Sequence, residues 1–206
     1  MIASNQRLTK IKMALIAIAL GALLVLALRA RAQDSKAHPA AGMGQQQAMP
    51  PDTAAVPSAK PDDVKSIDSI IAATYDVISG PAGDRDWDRF RSLFIPEARL
   101  IPVGAAPNGG AERYRLLSVE DYVNRAGGNF KQNGFFENEV SRKQEQFGHI
   151  AHVFSTYESR HVKGEKPFAR GINSFSLFND GQRWWVVQIM WDAENPTQPI
   201  PDKYLH

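Results

Sequence analysis

Cysteine is absent from all 206 residues, which excludes a disulfide framework, a thiolate nucleophile and a lipid-bearing cysteine. The folded part must be held by its core alone. Acidic residues are absent from residues 1–32, where Arg7, Lys10 and Lys12 precede the uncharged run Met13 to Leu28 and the small-residue pattern Ala30-Arg31-Ala32. Basic, then apolar, then small is the order of a signal peptide. It predicts cleavage after Ala32 and a periplasmic or secreted product. The apolar core is short against the about twenty residues of a membrane span; the alternative is an uncleaved leader that anchors the chain.

Other absences narrow the chemistry. There is no H-E-x-x-H and no dense carboxylate cluster, and Gly109-Gly110 and Gly127-Gly128 form no G-x-G-x-x-G pattern. Neither a metal nor an organic cofactor is expected. The net charge of +2 comes from the leader: without its five Lys and Arg, 19 basic residues face 22 acidic ones. A mature chain of that sign offers no footprint for nucleic acid.

What is present divides into a linker, a domain and a tail. Residues 33–61 are rich in Ala, Gln and Pro, with Gln45-Gln46-Gln47 and Pro50-Pro51, and lack periodicity; they read as a disordered tether. Residues 62–194 form the domain and residues 195–206 a Pro-rich tail. Val64, Ile67, Ile71, Tyr75 and Ile78 make one helical stripe ended by Gly80-Pro81. Trp87, Phe90 and Phe94 give a second helix stopped by Pro96, and Glu97 to Val103 a short strand. Ser118 to Asp121 is a capping box opening a third helix. The rest is strand: Phe135 to Gln146, His149 to Val162, and a hairpin from Phe168 to Asp192 turning at Asn179-Asp180-Gly181. The fold class is α+β, a curved, mostly antiparallel sheet with three N-terminal helices on its concave face.

That order, together with His149-Ile-Ala-His-Val-Phe-Ser-Thr-Tyr-Glu-Ser-Arg160, Arg170 to Ser174 and Gly181 to Val187, resembles the nuclear transport factor 2-like superfamily. Its members include SnoaL-like polyketide cyclases, ketosteroid isomerases and scytalone dehydratase. The resemblance implies a cone-shaped domain with a pocket between sheet and helices, commonly a homodimer through the outer sheet face. It also implies that Tyr75 matches the phenol that donates to a developing oxyanion in ketosteroid isomerases. The base of those enzymes has no counterpart, since Arg99 to Val103 holds no carboxylate. Asn173 or Ser174 stands near their second carboxylate.

Strand parity supplies further candidates. Tyr157 with Ser159, or Glu158 with Arg160, can face the pocket, but not both pairs. Glu158 can form a cross-strand ion pair with Arg170 or Arg160, or these groups can bind a ligand. His149 and His152, three apart on a strand, point to opposite faces and share no ion. Parity puts Trp184, Val186, Gln188, Met190 and Asp192 on one face, read as the pocket, and leaves Trp185 and Trp191 for a subunit contact; the opposite phase would swap them. The expected ligand site is Tyr75, Tyr157, Arg170, Asn173, Trp184, Gln188 and Met190, with Tyr75 as donor and Asp192 or a histidine as proton acceptor. Two functions fit: a lyase or isomerase acting on a small apolar or amphipathic molecule with a carbonyl or hydroxyl, or a non-catalytic ligand-binding or protein-interaction module of the envelope.

Overall fold

The computed structural model describes residues 56–104 and 110–206; the leader, and the linker as far as residue 55, lie outside the described residues. The first helical stripe is two helices. α1 (Pro61–Val64) starts with Pro at its first position, and α2 (Ile67–Ile78) starts after Ser66, whose backbone is extended and whose hydroxyl accepts from the Ser69 N–H. A serine that caps a helix cannot also continue one, so the stripe breaks there. α3 (Trp87–Ser92) is capped by Asp86. It ends before Phe94, which opens β1 (Phe94–Gly104) rather than closing the helix. Pro96, expected to stop the helix, lies inside β1, where pairing is irregular between Phe94 and Arg99, as befits a residue with no N–H to give the ladder.

A two-residue strand β2 (Arg113–Tyr114) precedes α4 (Val119–Gln132), whose capping box joins Ser118 and Asp121 in both directions. Four long strands follow: β3 (Phe136–Phe147), β4 (Ile150–Arg160), β5 (Ala169–Asn179) and β6 (Trp184–Ala193). The sheet order is β2-β1-β6-β5-β4-β3, with β1 parallel to β6 and every other pair antiparallel. Gly148 and Gly181 take positive φ in the two tight turns, where a side chain would strain the backbone.

One face of this open, curved sheet carries the core. Val153, Ser155, Tyr157, Phe175, Leu177 and Val186 project from it and are buried. α2 lies on them: Tyr75 meets Phe175 edge-on with ring centres 6.2 Å apart. α3 and α4 cover the same side through Phe90, Tyr122 and Phe130; Tyr122 stacks on Phe90 and meets Trp191 edge-on. On the other face, residues 199–206 cross the strands. Thr156 Oγ1 donates to the Tyr204 carbonyl at 2.6 Å, and Lys143 donates to the His206 carbonyl at 2.8 Å.

Two β-bulges decide which side chains enter the core. In β3 the pairing shifts between Glu139 and Ser141, leaving Val140 unpaired. In β6 it shifts between Val186 and Gln188, leaving Val187 unpaired. Each extra residue reverses the alternation of the strand beyond it.

Candidate functional site

Between the helices and the inner sheet face lies a cavity of about 220 Å³. Ile78, Phe90, Leu100, Phe135, Phe175 and Ile189 make most of its wall apolar, and Tyr75, Tyr122, Glu137, Tyr157, Ser159 and Asn173 supply the polar groups. Glu137 and Tyr75 also line a wider groove beyond β3, beside Asp76, Glu139, Arg160 and Lys163. Glu137 therefore borders both spaces.

Glu137 is the group with chemical reach. β3 sets it opposite Ser159, whose hydroxyl donates to Oε2 at 2.7 Å, and Asn173 Nδ2 donates to Oε1 at 3.4 Å. No ion pair involves it among the described residues. Burial in this apolar setting pushes its carboxyl from the usual 4.5 up to about 7, against the two hydrogen bonds, which pull it down. A carboxyl poised near neutrality can both take and return a proton.

The three phenols differ. The Tyr75 hydroxyl sits between Ser155 Oγ at 2.7 Å and Asn173 Nδ2 at 3.1 Å. Ser155 spends its own proton on Glu139 Oε1 at 2.6 Å, so the Tyr75 proton goes to Ser155. Tyr122 and Tyr157 have no protein partner for their hydroxyls among the described residues. Burial raises the pKa of all three phenols, and the nearby Glu137 charge adds to it.

Of the residues expected from the sequence, Tyr75, Tyr157 and Asn173 meet at this cavity. Trp184 points to the same face but lies in the core beyond the cavity. Arg170 is on the opposite face, an odd number of residues from the inward Asn173 on the unbroken β5, and Gln188, Met190 and Asp192 are there because the bulge at Val187 reverses β6. The same bulge brings Trp191 into the cavity wall and leaves Trp185 outside, so these two tryptophans do not share a face. Asp192 and Met190 line a groove beneath the C-terminal segment, where Gln198 Nε2 donates to Asp192 at 3.2 Å. Arg170 stands 3.5 Å from both Glu158 and Glu194, and Glu158 also pairs with Arg160; Glu158 thus meets both of the arginines expected as its ion-pair partners, and Glu194 is an addition to them. His152 faces outward and shares a 2.9 Å hydrogen bond with Ser174; His149 lies in the β3–β4 turn.

No protein-family model and no curated protein matches the sequence. Solved structures similar to it include a protein with a cystatin-like fold from Caulobacter vibrioides, 14% identical over 65% of this chain and 90% of that one, at a TM-score of 0.48. Another, of cystatin-like fold from Nostoc punctiforme, is 9% identical over 65% and 91%, at 0.49. An NTF2-like protein from Methylobacillus flagellatus is 14% identical over 63% and 95%, at 0.43. The likeness is one of fold.

Sequence reasoning missed Glu137, Tyr122 and the inward turn of Trp191. A signal for Tyr122 exists in the sequence, since Val119, Tyr122, Val123, Ala126 and Phe130 recur at helical spacing. For Glu137 the signal was misleading. Counting back from the Phe147–Ile150 turn without a bulge pairs Glu137 with Arg160, outside the core; the bulge at Val140 pairs it with Ser159 instead.

Proposed function

We propose that the chain is an exported protein whose cavity binds a small, largely apolar molecule bearing a carbonyl or hydroxyl and moves a proton on it, as an isomerase or lyase. The observation that carries this reading is Glu137: a carboxyl ionising near pH 7 in an apolar cavity, faced by two phenols whose hydroxyls have no protein partner among the described residues. In its ionised form Glu137 takes a proton from the carbon beside a carbonyl. Tyr122 and Tyr157 donate to the oxygen as it gains charge. The protonated Glu137 then returns the proton to another carbon, which isomerises the ligand, or to a departing hydroxyl, which releases water. The donor role expected of Tyr75 thus falls to Tyr122 and Tyr157, and the acceptor role expected of Asp192 to Glu137.

Size narrows the ligand. An apolar cavity of roughly 150 Å³ takes one benzene, so about 220 Å³ suits one ring with substituents or two fused rings. Export is supported by the order of charges and apolar residues in the leader. Pairing with a second copy is supported by Phe147, Ile150 and Phe178, which leave apolar area exposed on the outer sheet face.

The test is α-hydrogen exchange of 2-tetralone, a fused-ring ketone, followed by NMR in D2O. Exchange should exceed that in buffer and fall by roughly a hundredfold in Glu137→Gln. Binding of 2-tetralone with no exchange would make the cavity a binding module. Neither binding nor exchange, with no compound retained through native purification, would overturn the reading.

A further inference from the structure

Glu139 is the ionised end of a hydrogen-bond array that begins outside the cavity. Arg142 holds it through Nε and Nη2, at 2.9 and 2.6 Å from Oε2, with Nε also 3.0 Å from Oε1. A carboxylate so held accepts and does not donate, which obliges Ser155 to give it the hydroxyl proton. Tyr75 must then donate to Ser155 and keep its oxygen free to accept from Asn173 Nδ2. That fixes the amide, because the same Nδ2 is the atom turned to Glu137 Oε1.

We propose that Glu139 is a positioning residue: through Ser155 and Tyr75 it dictates that Asn173 presents N–H, and not C=O, to Glu137. The proposal rests on Glu137 as the acid–base group of the cavity and adds a residue that never touches the ligand. Its chemical sense is that the ionised form of Glu137 gains a donor it would otherwise lack. Reversing the array would turn the amide oxygen toward Glu137 and favour the protonated form.

Glu139→Gln should reverse it. Arg142 places both nitrogens on Oε2, so the new amide oxygen takes that position and the NH2 turns to Ser155. Ser155 then donates to Tyr75, Tyr75 donates to Asn173, and the Asn173 oxygen swings round to accept. The sign of the outcome separates this from simple electrostatics. Loss of a neighbouring negative charge lowers a carboxyl pKa, whereas loss of a donor raises it. The other groups that bear on Glu137 stay in place: Tyr75 and Asp76 on α2, Tyr122 on α4, Tyr157 and Arg160 on β4, and Lys163 and Glu165 in the loop after it.

The experiment is a carboxyl 13C NMR titration of Glu137, its signal assigned by comparison with Glu137→Gln. Glu139→Gln should move the midpoint up by about half a pH unit, the scale of one modest hydrogen bond to a carboxylate. In a Tyr75→Phe background, where the array is cut, Glu139→Gln should produce no upward step. Ser155→Ala, which leaves Tyr75 only Asn173 to donate to, should move the midpoint the same way and serves if Glu139→Gln does not fold. A midpoint that falls or stays put, or one that rises equally without the Tyr75 hydroxyl, overturns the proposal. Because the readout is titration and not turnover, a protein that shows these steps yet exchanges no 2-tetralone would refute the acid–base reading and leave the array intact.

Discussion

Ser159 faces Glu137 directly across the β3–β4 ladder, and its hydroxyl makes the shorter of the two hydrogen bonds to that carboxyl, 2.7 Å against 3.4 Å from Asn173. A hydroxyl donating to a carboxylate stabilises the charged form. Ser159→Ala should therefore raise the Glu137 midpoint further above about 7, by up to about one pH unit. Carboxyl NMR reads this directly, and a lower midpoint would show that Ser159 donates elsewhere.

The same carboxyl makes stability depend on pH in a defined direction. Its pKa is raised in the fold, from the usual 4.5 to about 7, so between those values the folded state binds more protons than the unfolded chain. Stability is then fully present below about pH 4.5 and is lost as pH rises through about 7. The loss is on the order of 3 kcal/mol. Glu137→Gln removes the dependence. In urea denaturation the variant should match the wild type near pH 4 and exceed it by about 2–3 kcal/mol at pH 8; equal values at pH 8 would mean that the carboxylate is solvated.

The phenols should separate by their partners. Tyr75→Phe breaks two buried hydrogen bonds, leaving Ser155 and Asn173 short of a partner, and should cost about 1–3 kcal/mol of stability. Tyr122→Phe and Tyr157→Phe remove hydroxyls that bond to no protein group among the described residues, so each should leave stability within about 0.5 kcal/mol while weakening 2-tetralone binding or exchange. The reverse pattern would mark Tyr75 as the ligand's donor and the other two as core.

On the outer face, Phe178 is 39% exposed beside Ile150, within reach of any second sheet packed there. Phe178→Asp should convert a dimer to a monomer in light scattering and leave 2-tetralone binding unchanged, since the cavity opens on the other face. A dimer that survives the change would put the subunit contact elsewhere.

The helices, the four long strands and their order were legible because each carries its own period: the stripe of Ile67, Ile71, Tyr75 and Ile78, the capping box at Ser118, the turn at Asn179-Asp180-Gly181. The site was only half legible. Tyr75, Tyr157 and Asn173 lie on stretches whose alternation or helical period is unbroken between them and their neighbours. Glu137 and Trp191 lie beyond bulges, and a bulge leaves little trace in sequence: Val140 and Val187 are ordinary strand residues. One unpaired residue in each strand inverts every assignment past it. That is why Gln188, Met190 and Asp192 were expected inside and Trp191 outside.

Gly171 is the position at which the fold and the cavity most directly constrain each other. It sits on the inner face of β5, between Tyr157 of β4 and Ala193 of β6. A Cβ there would lie 2.2 Å from the Asp192 carbonyl oxygen and 2.5 Å from the Tyr157 hydroxyl. Its φ is not in the left-handed region, so the cost of Gly171→Ala is crowding and not backbone conformation. The phenol can swing away, into the cavity. The carbonyl belongs to β6, held nearby by the Glu194 N–H donating to the Arg170 carbonyl at 2.8 Å, and it cannot retreat without loosening that ladder. Gly171→Ala should destabilise the domain by about 1–3 kcal/mol and abolish 2-tetralone binding as Tyr157 fills the space. Adding Tyr157→Leu removes both the hydroxyl and the ring carbon Cζ, 2.7 Å from that Cβ, but not the contact with the carbonyl, so the double variant should stay less stable than Tyr157→Leu alone. Equal stability of the two would show that the tyrosine alone requires glycine here.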